Sequence, residues 1–244
     1  VNDNDFGTDG GECIGIALSQ NDTLKNLRIA ENDLKSEGAI PIIKSAINLQ
    51  GLSLAKNFLK PDVGKPLAKL LKFSRNLQRL SLEFNELGVQ GIKWLAKGIS
   101  ASQSIESINV KGNMIGDEGM VVLADALKES QTVTHLDISL NEVGPQGFQA
   151  LCEAITECNL THLVSNKNFL GDDVMALFAN ILADQSSLCK LRKFDLSSCR
   201  INDAGLIFLV NALQSNKSMQ SVKLANNFFS ENVEAVLLET LNKN

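Results

Sequence analysis

The chain has 244 residues, of which 44% are hydrophobic, and its net charge is −5. Its apolar runs, such as residues 120–123, are far shorter than the roughly 18 residues that cross a membrane. The mild acidity differs from the basic stripe typical of nucleic-acid binders. We therefore expect neither a membrane nor a nucleic acid as partner. The polar opening, residues 1–5, does not resemble a secretory signal, and since residue 1 is not Met, a fragment of a longer chain stays an open alternative.

Five cysteines are scattered along the chain without C-x-x-C spacing. An odd number of isolated cysteines fits reduced thiols better than a disulfide framework. We therefore expect a cytoplasmic protein.

One apolar pattern, L-x-x-L-x-L-x-x-N-x-L, returns along the whole chain, first as a truncated copy that includes Asn4 and Phe6. The clearest copy runs from Leu77 to Leu87. Each copy has an Asn or a Cys at one position, and these residues are Asn4, Asn32, Asn57, Asn85, Asn113, Asn141, Asn168, Cys199 and Asn227. Their successive separations are 28, 25, 28, 28, 28, 27, 31 and 28 residues. A nearly constant period indicates a solenoid of stacked units.

A helical pattern follows each Asn. Leu123 and Leu127, for example, are four residues apart, which is the spacing of one helix face. Acidic residues at the predicted helix start and a basic residue near its end suit the helix dipole; these are Asp117, Glu118 and Lys128. Each unit is therefore predicted to be a short strand, a tight turn and a helix of about three turns.

Stacking such units predicts a curved α/β fold. Strands lie about 4.8 Å apart, whereas packed helices need about 8–10 Å. We expect a horseshoe with a parallel sheet on the concave side, helices on the convex side, and about eight full repeats after a partial first one. The Asn amides should satisfy backbone groups in the turn that leaves each strand, whereas Cys199 offers only a weak donor.

The repeats resemble the ribonuclease-inhibitor type of leucine-rich repeat, whose signature is L-x-x-L-x-L-x-x-N/C-x-L followed by a helix punctuated by glycines. The resemblance covers essentially the whole chain and implies one leucine-rich repeat domain over residues 1–244. It also implies a binding scaffold, because the family includes enzyme inhibitors, immune-receptor sensor regions, Ran GTPase-activating proteins and axonemal regulatory subunits.

Two units depart from the regular period. The unit between Asn32 and Asn57 is short and contains Pro41, and the unit after Asn168 is long, with residues 185–190 as the predicted insertion. Ser165 also takes the place of an apolar strand residue. We expect the curvature of the solenoid to deviate from regularity at these units. Two alternative interpretations are a local binding feature and tolerated variation in loop length.

Alternate strand residues should form rows on the concave surface. Two of these rows flank the central apolar residue of each strand, and a third lies at the strand exit and includes Phe84 and Leu140. Apolar groups ringed by polar ones are typical of binding hot spots. We therefore predict a partner-binding patch formed by Arg79, Phe84, His135, Asp137, Leu140 and His162. Alternatively, Phe84 and Leu140 merely fold over their turns.

His135 and His162 are the only histidines, and we expect them on adjacent strands. Such a pair could hold a metal with Asp137 as third ligand or form a pH-dependent contact. We favour two ordinary surface histidines, and we predict no metal and no cofactor.

Enzyme signatures are missing from the sequence. The recurrent G-x-x-G pairs follow the repeat period, so they belong to turns and helix starts, and no known motif pairs a histidine with a nucleophile. We expect a non-catalytic scaffold that binds a protein through its concave surface and takes no small-molecule substrate. Two alternatives are a Ran-type GTPase-activating protein and a structural subunit of a ciliary or cytoskeletal assembly.

Overall fold

A computed structural model describes residues 1–184 and 189–243, without the side chains of residues 234 and 241–243. Strands and helices alternate along these residues. The strands are β1 (Asn26–Arg28), β2 (Gly51–Ser53), β3 (Arg79–Ser81), β4 (Ser107–Asn109), β5 (His135–Asp137), β6 (His162–Val164), β7 (Lys193–Asp195) and β8 (Ser221–Lys223). The α-helices are α1 (Gly7–Ser19), α2 (Lys35–Ser45), α3 (Gly64–Phe73), α4 (Gly88–Ala101), α5 (Gly116–Glu129), α6 (Pro145–Ile155), α7 (Met175–Ala183), α8 (Asp203–Ser215) and α9 (Glu231–Lys243).

The eight strands form one parallel sheet in chain order, β1 to β8. Each strand pairs with the next without slippage, so Leu80 lies opposite Ile108 and Leu136 lies opposite Leu163. These central residues are buried and face the helices, and the flanking residues form the two predicted rows on the other side. The predicted leucine-rich repeat solenoid, with its concave parallel sheet and convex helices, is confirmed.

The Asn row forms a ladder that links neighbouring repeats. The side chain of Asn141 accepts a hydrogen bond from the backbone N–H of Asn113 (2.7 Å) and donates to the carbonyl oxygens of Val110 and Ile138 (both 2.9 Å). The side chain of Asn85 likewise accepts from Asn57 and Leu59 of the preceding repeat (both 3.0 Å). These amides therefore satisfy backbone groups that the turns would otherwise leave unpaired inside the protein.

Cys199 interrupts the ladder but occupies its geometric position. Its Sγ donates to the carbonyl oxygen of Ser165 at 3.0 Å, and burial raises the pKa of the thiol to about 11. Ser165, which replaces an apolar residue, is itself fully buried, and its hydroxyl accepts a hydrogen bond from the Asn168 amide (3.0 Å). The polar residue at 165 is therefore satisfied, and the pairing of β6 with β7 continues without slippage beside it.

The short repeat keeps its strand and changes its helical part. Helix α2 contains Pro41, has 11 residues and gives way to a 3-10 turn over Ala46–Asn48. In the next repeat, which has the regular length, a second 3-10 turn, Pro61–Val63, precedes the 10-residue helix α3. The sheet passes through both repeats with its pairing unchanged. Within the insertion predicted for the long repeat, residues 185–188 lie outside the described residues.

Candidate protein-binding surface

The concave surface consists of the side chains on either side of each buried strand centre. In β3 and β5 the first residue is exposed, the middle residue is buried and the third is partly exposed. Alternation along a strand produces this pattern, since successive side chains point to opposite faces. The six predicted site residues fall into separate groups on this surface: Phe84 and Leu140 at strand exits, His135 and His162 on neighbouring strands, and Asp137 and Arg79 at two further positions.

The strand-exit row shares one backbone conformation that the sequence did not reveal. All eight of its residues are left-handed, with φ between 52° and 64°: Glu31, Lys56, Phe84, Gly112, Leu140, Lys167, Ser198 and Asn226. Seven of the eight are not glycine, although this conformation costs a non-glycine residue roughly 1–2 kcal/mol. The ladder of hydrogen bonds around each turn must outweigh that cost, so the turn presents one side chain per repeat along the edge of the sheet.

Phe84 is the aromatic residue of this row, and 40% of it is exposed. Its ring lies against Gly112 of the next repeat, where an added Cβ would come within 2.7 Å of the ring. The ammonium groups of Lys111 and Lys56 lie 5.1 and 5.9 Å from the ring centre, within the range of cation–π attraction. The ring therefore covers its turn, as the alternative interpretation expected, and still presents exposed apolar surface between two cations.

Leu140 occupies the same position two repeats later and is only partly exposed. At the other end of the row, the carboxylate of Glu31 lies 2.9 Å from the Lys56 ammonium and raises the pKa of that lysine. The row therefore combines one ion pair, one aromatic ring and one half-buried leucine.

The two histidines stack. His135 and His162 are register partners on β5 and β6, and their ring centres lie 4.0 Å apart with an angle of 15° between the planes. This confirms that they are neighbours on adjacent strands. Each Nδ1 lies 2.8 Å from the hydroxyl oxygen of the preceding residue, Thr134 or Thr161. Because each hydroxyl also donates to a backbone carbonyl, the pattern favours a proton on Nδ1 and an acceptor at Nε2.

Burial lowers the pKa of His162, and the neighbouring charges of His135 and Lys193 lower it further. The stack therefore disfavours protonation of His162, because an imidazolium in contact with a second positive charge would be repelled.

Asp137 lies two residues after His135 on the same face, but its carboxylate is engaged in the turn. The Oδ1 atom accepts a hydrogen bond from the backbone N–H of Ser139 at 2.9 Å. Asn109 and Asp195 form the same contact at their own strand exits (both 3.0 Å). In the part of the chain that the structure describes, no three His, Cys, Asp or Glu side chains group closely enough to hold a metal ion.

Arg79 belongs to a different part of the concave surface. Its guanidinium reaches across Gly51, which has no side chain, and donates to Oδ1 of Asn26 at 3.0 Å. A hollow of about 520 Å³ lies there, bordered by β1 to β4. Arg79 and His135 are on strands two steps apart, on the order of 10 Å, so the structure does not bring Arg79 against the histidine pair.

Comparison with known proteins agrees with this architecture. A family model described as a leucine-rich repeat matches residues 20–42, 73–96, 101–124, 129–152 and 187–210. The chain is a leucine-rich repeat protein. Among curated proteins, no sequence matches it.

Solved leucine-rich repeat structures resemble this leucine-rich repeat protein in fold. An internalin of Listeria monocytogenes aligns with 20% identity and a TM-score of 0.60, over 90% of this chain and 54% of its own. This chain thus spans about half of the internalin. The tropomodulin C-terminal domain of Caenorhabditis elegans aligns with 18% identity over 52% of this chain and 75% of its own, with a TM-score of 0.44. The actin-binding site 2 of leiomodin-1 aligns with 12% identity over 85% of this chain and 90% of its own, with a TM-score of 0.38. At these identities the likeness concerns the fold alone.

The repeat pattern of this leucine-rich repeat protein located the concave rows correctly but missed three features besides the left-handed strand exits. These are the lysines around Phe84, the hydrogen bond between Asp137 and its own turn, and the hydrogen bond from the Arg79 side chain to Asn26 in β1. Only the hydrogen bond between Asp137 and its own turn left a signal in the sequence, since Asn109, Asp137 and Asp195 recur at one repeat position. Across the described residues, none of the helices is both long and apolar enough to span a bilayer.

Proposed function

We propose that residues 1–244 form a single, non-catalytic leucine-rich repeat domain of the ribonuclease-inhibitor type, which acts as a cytoplasmic scaffold and recognises a protein partner through its concave surface. The observation that carries the proposal is the accessible face of the sheet, where a stacked histidine pair and a half-exposed phenylalanine lie among polar side chains. A surface of this kind offers anchors for a partner and a polar surround that excludes water.

Each predicted contact residue has a distinct role in this proposal. Phe84 supplies an apolar anchor flanked by cations, and the partly exposed Leu140 adds a second apolar side chain two repeats later in the same row. The histidines offer two acceptor nitrogens to partner donors. Asp137 and Arg79 supply opposite charges at separate points, which favours one orientation of the partner.

Affinity capture from the native cell, followed by mass spectrometry, tests the proposal. The wild-type protein is compared with the double variant Phe84→Ala, Asp137→Asn, and with Lys128→Glu on the convex helix α5 as a matched control. We expect at least one protein that the wild type and Lys128→Glu retain and that the double variant loses. Identical sets of captured proteins for all three would refute concave recognition through these residues.

A further inference from the structure

The convex side holds a groove, between the short repeat and the two repeats that follow it, that the concave surface does not explain. Its walls come from α2, α3 and α4, and its volume is about 800 Å³, within the usual range of roughly 300–1,000 Å³ for ligand pockets. Helices α2 and α3 contact each other less than α3 and α4 do. The groove therefore lies where the shortened repeat, with its 3-10 turn after α2, meets the following repeat, whose helix α3 begins only after a second 3-10 turn.

The lining of the groove is apolar and includes large exposed side chains. Phe73 is 57% exposed, and Ile47 and Trp94 are each 39% exposed, whereas Ile43 and Leu70 form a buried floor. Trp94 is the only tryptophan of the chain. An exposed apolar cleft with an aromatic wall is a common feature of protein–protein contacts.

Lysines surround this apolar lining, and no acidic residue balances them. The five that line the groove are Lys44, Lys65, Lys69, Lys72 and Lys97, all exposed, and no aspartate or glutamate is among the lining residues. Helices α3 and α4 contain no acidic residue at all, although the chain as a whole carries −5. The ammonium groups of Lys97 and Lys65 lie 4.4 and 5.9 Å from the Trp94 ring, and that of Lys72 lies 5.5 Å from the Phe73 ring.

We propose that the groove binds an acidic, amphipathic peptide segment of a partner protein. The apolar residues of the segment would pack against Trp94, Phe73 and Ile47, and its carboxylates would meet the lysine rim. Charge complementarity selects this occupant, because an apolar segment without carboxylates would leave five ammonium groups without counter-charges beside a newly dried surface. The mode resembles other amphipathic segments that place an apolar face in a groove.

Fluorescence of Trp94 measures occupancy directly, because no other tryptophan contributes. The probe is a synthetic amphipathic peptide with leucines on one face and glutamates on the other, and the matched peptide carries glutamines in place of the glutamates. We expect a saturable blue shift with the glutamate peptide, binding at least about tenfold weaker for the glutamine peptide, and weaker binding of the glutamate peptide at high salt. Equal affinities for both peptides, or no shift with either, would overturn the proposal.

Two variants locate the effect. Lys69→Glu with Lys97→Glu should weaken the glutamate peptide at least about tenfold, and Phe73→Ser should weaken both peptides while Trp94 remains as reporter. Lys128→Glu on α5 lies outside the groove and should leave binding unchanged. All four residues have side chains at the surface, and a circular-dichroism melt verifies that each variant folds. If the double charge reversal and Lys128→Glu weaken binding equally, the groove is not the site.

Other occupants give different results in the same assay. A shift caused by vesicles of about three parts phosphatidylcholine to one part phosphatidylserine, or by oligodeoxythymidylate, without a shift by the glutamate peptide would overturn the proposal. A Trp94 emission that changes with protein concentration in the absence of any peptide would also overturn it, because a second copy of the chain would then cover the groove.

Discussion

The regular central repeats and the short repeat share one inner layer and differ in the outer one. Between β4 and β5 and between β1 and β2 the strands pair in the same register, and the ladder asparagines bond in the same manner. On the convex side, α4 and α5 of the regular repeats have 14 residues each, whereas α2 of the short repeat has 11 and ends in a 3-10 turn.

This difference shows which layer specifies the architecture. The inner layer depends on backbone hydrogen bonds and buried amides, which tolerate little displacement. The outer layer depends on apolar packing between helices, where a lost helical turn opens a groove and leaves the sheet intact. Changes in repeat length therefore alter the helices of the convex side, whereas changes in side chains alter the surface of the concave side.

The largest expected effect is at the ladder. Asn141→Ala should lower the free energy of unfolding by about 3 kcal/mol or more, because it leaves an N–H and at least two carbonyl oxygens without their partner, at about 1–3 kcal/mol for each buried group. Asn32→Ala should cost less, about 1–2 kcal/mol, because the side-chain oxygen of Asn32 has no partner among the described residues and its amide donates only to carbonyl oxygens of Val1 and Ala30, which are not fully buried. Urea denaturation measures the free energy of unfolding of both variants. Equal losses would contradict the claim that each ladder asparagine stabilises the fold through its hydrogen bonds to neighbouring repeats.

Helix packing next to the groove should show the next largest effect. A Cβ at Gly98 would lie 2.7 Å from the backbone of Ala68, so Gly98→Val should destabilise the protein by about 1–3 kcal/mol through overpacking between α3 and α4. Ile47→Phe, which enlarges a side chain exposed in the groove, should change stability by less than about 0.5 kcal/mol. The melting temperatures of the two variants distinguish the side of α3 that packs against α4 from the side that borders the groove.

At the strand exits, charge and turn geometry can be separated. Asp137→Asn retains an acceptor for the Ser139 N–H, as Asn109 does in the preceding repeat, and should leave stability unchanged. Asp137→Ala removes that acceptor and should cost about 0.5–1.5 kcal/mol. Denaturant midpoints check both, and a loss in Asp137→Asn equal to that in Asp137→Ala would show that the charge, not the turn, matters.

The smallest expected effect depends on pH. Because the folded-state pKa of His162 lies below its unfolded value near 6.5, the unfolded chain binds more protons as the pH falls through 6.5, and the contribution of His162 to stability decreases there. His135→Ala removes the covering ring and its charge, so the pKa of His162 should rise toward 6.5. Titration of the imidazole proton resonances by NMR measures the pKa of His162 in the wild type and in the variant, and an unchanged His162 pKa in the variant would contradict the origin assigned to the shift.

The sequence alone predicted the sheet, the concave rows and the ladder, because each depends on a residue type that recurs at a fixed offset. Pro41 and the 25-residue spacing marked the short repeat, but the groove depends on how far α2 and α3 separate, which no local pattern specifies. Asp117 illustrates another limit. Its position suits the start of its own helix, yet its carboxylate also accepts hydrogen bonds from Gly144 and Gly147 at the start of α6 (2.7 and 2.9 Å). Such contacts between repeats depend on side-chain placement in three dimensions.

Calorimetric titration of a captured partner tests concave recognition most directly. We predict that the triple variant Phe84→Ala, His135→Ala, His162→Ala binds the partner at least about tenfold more weakly than the wild type, and that Lys128→Glu binds as the wild type does. An unchanged affinity in the triple variant would contradict the assignment of the concave surface as the binding site.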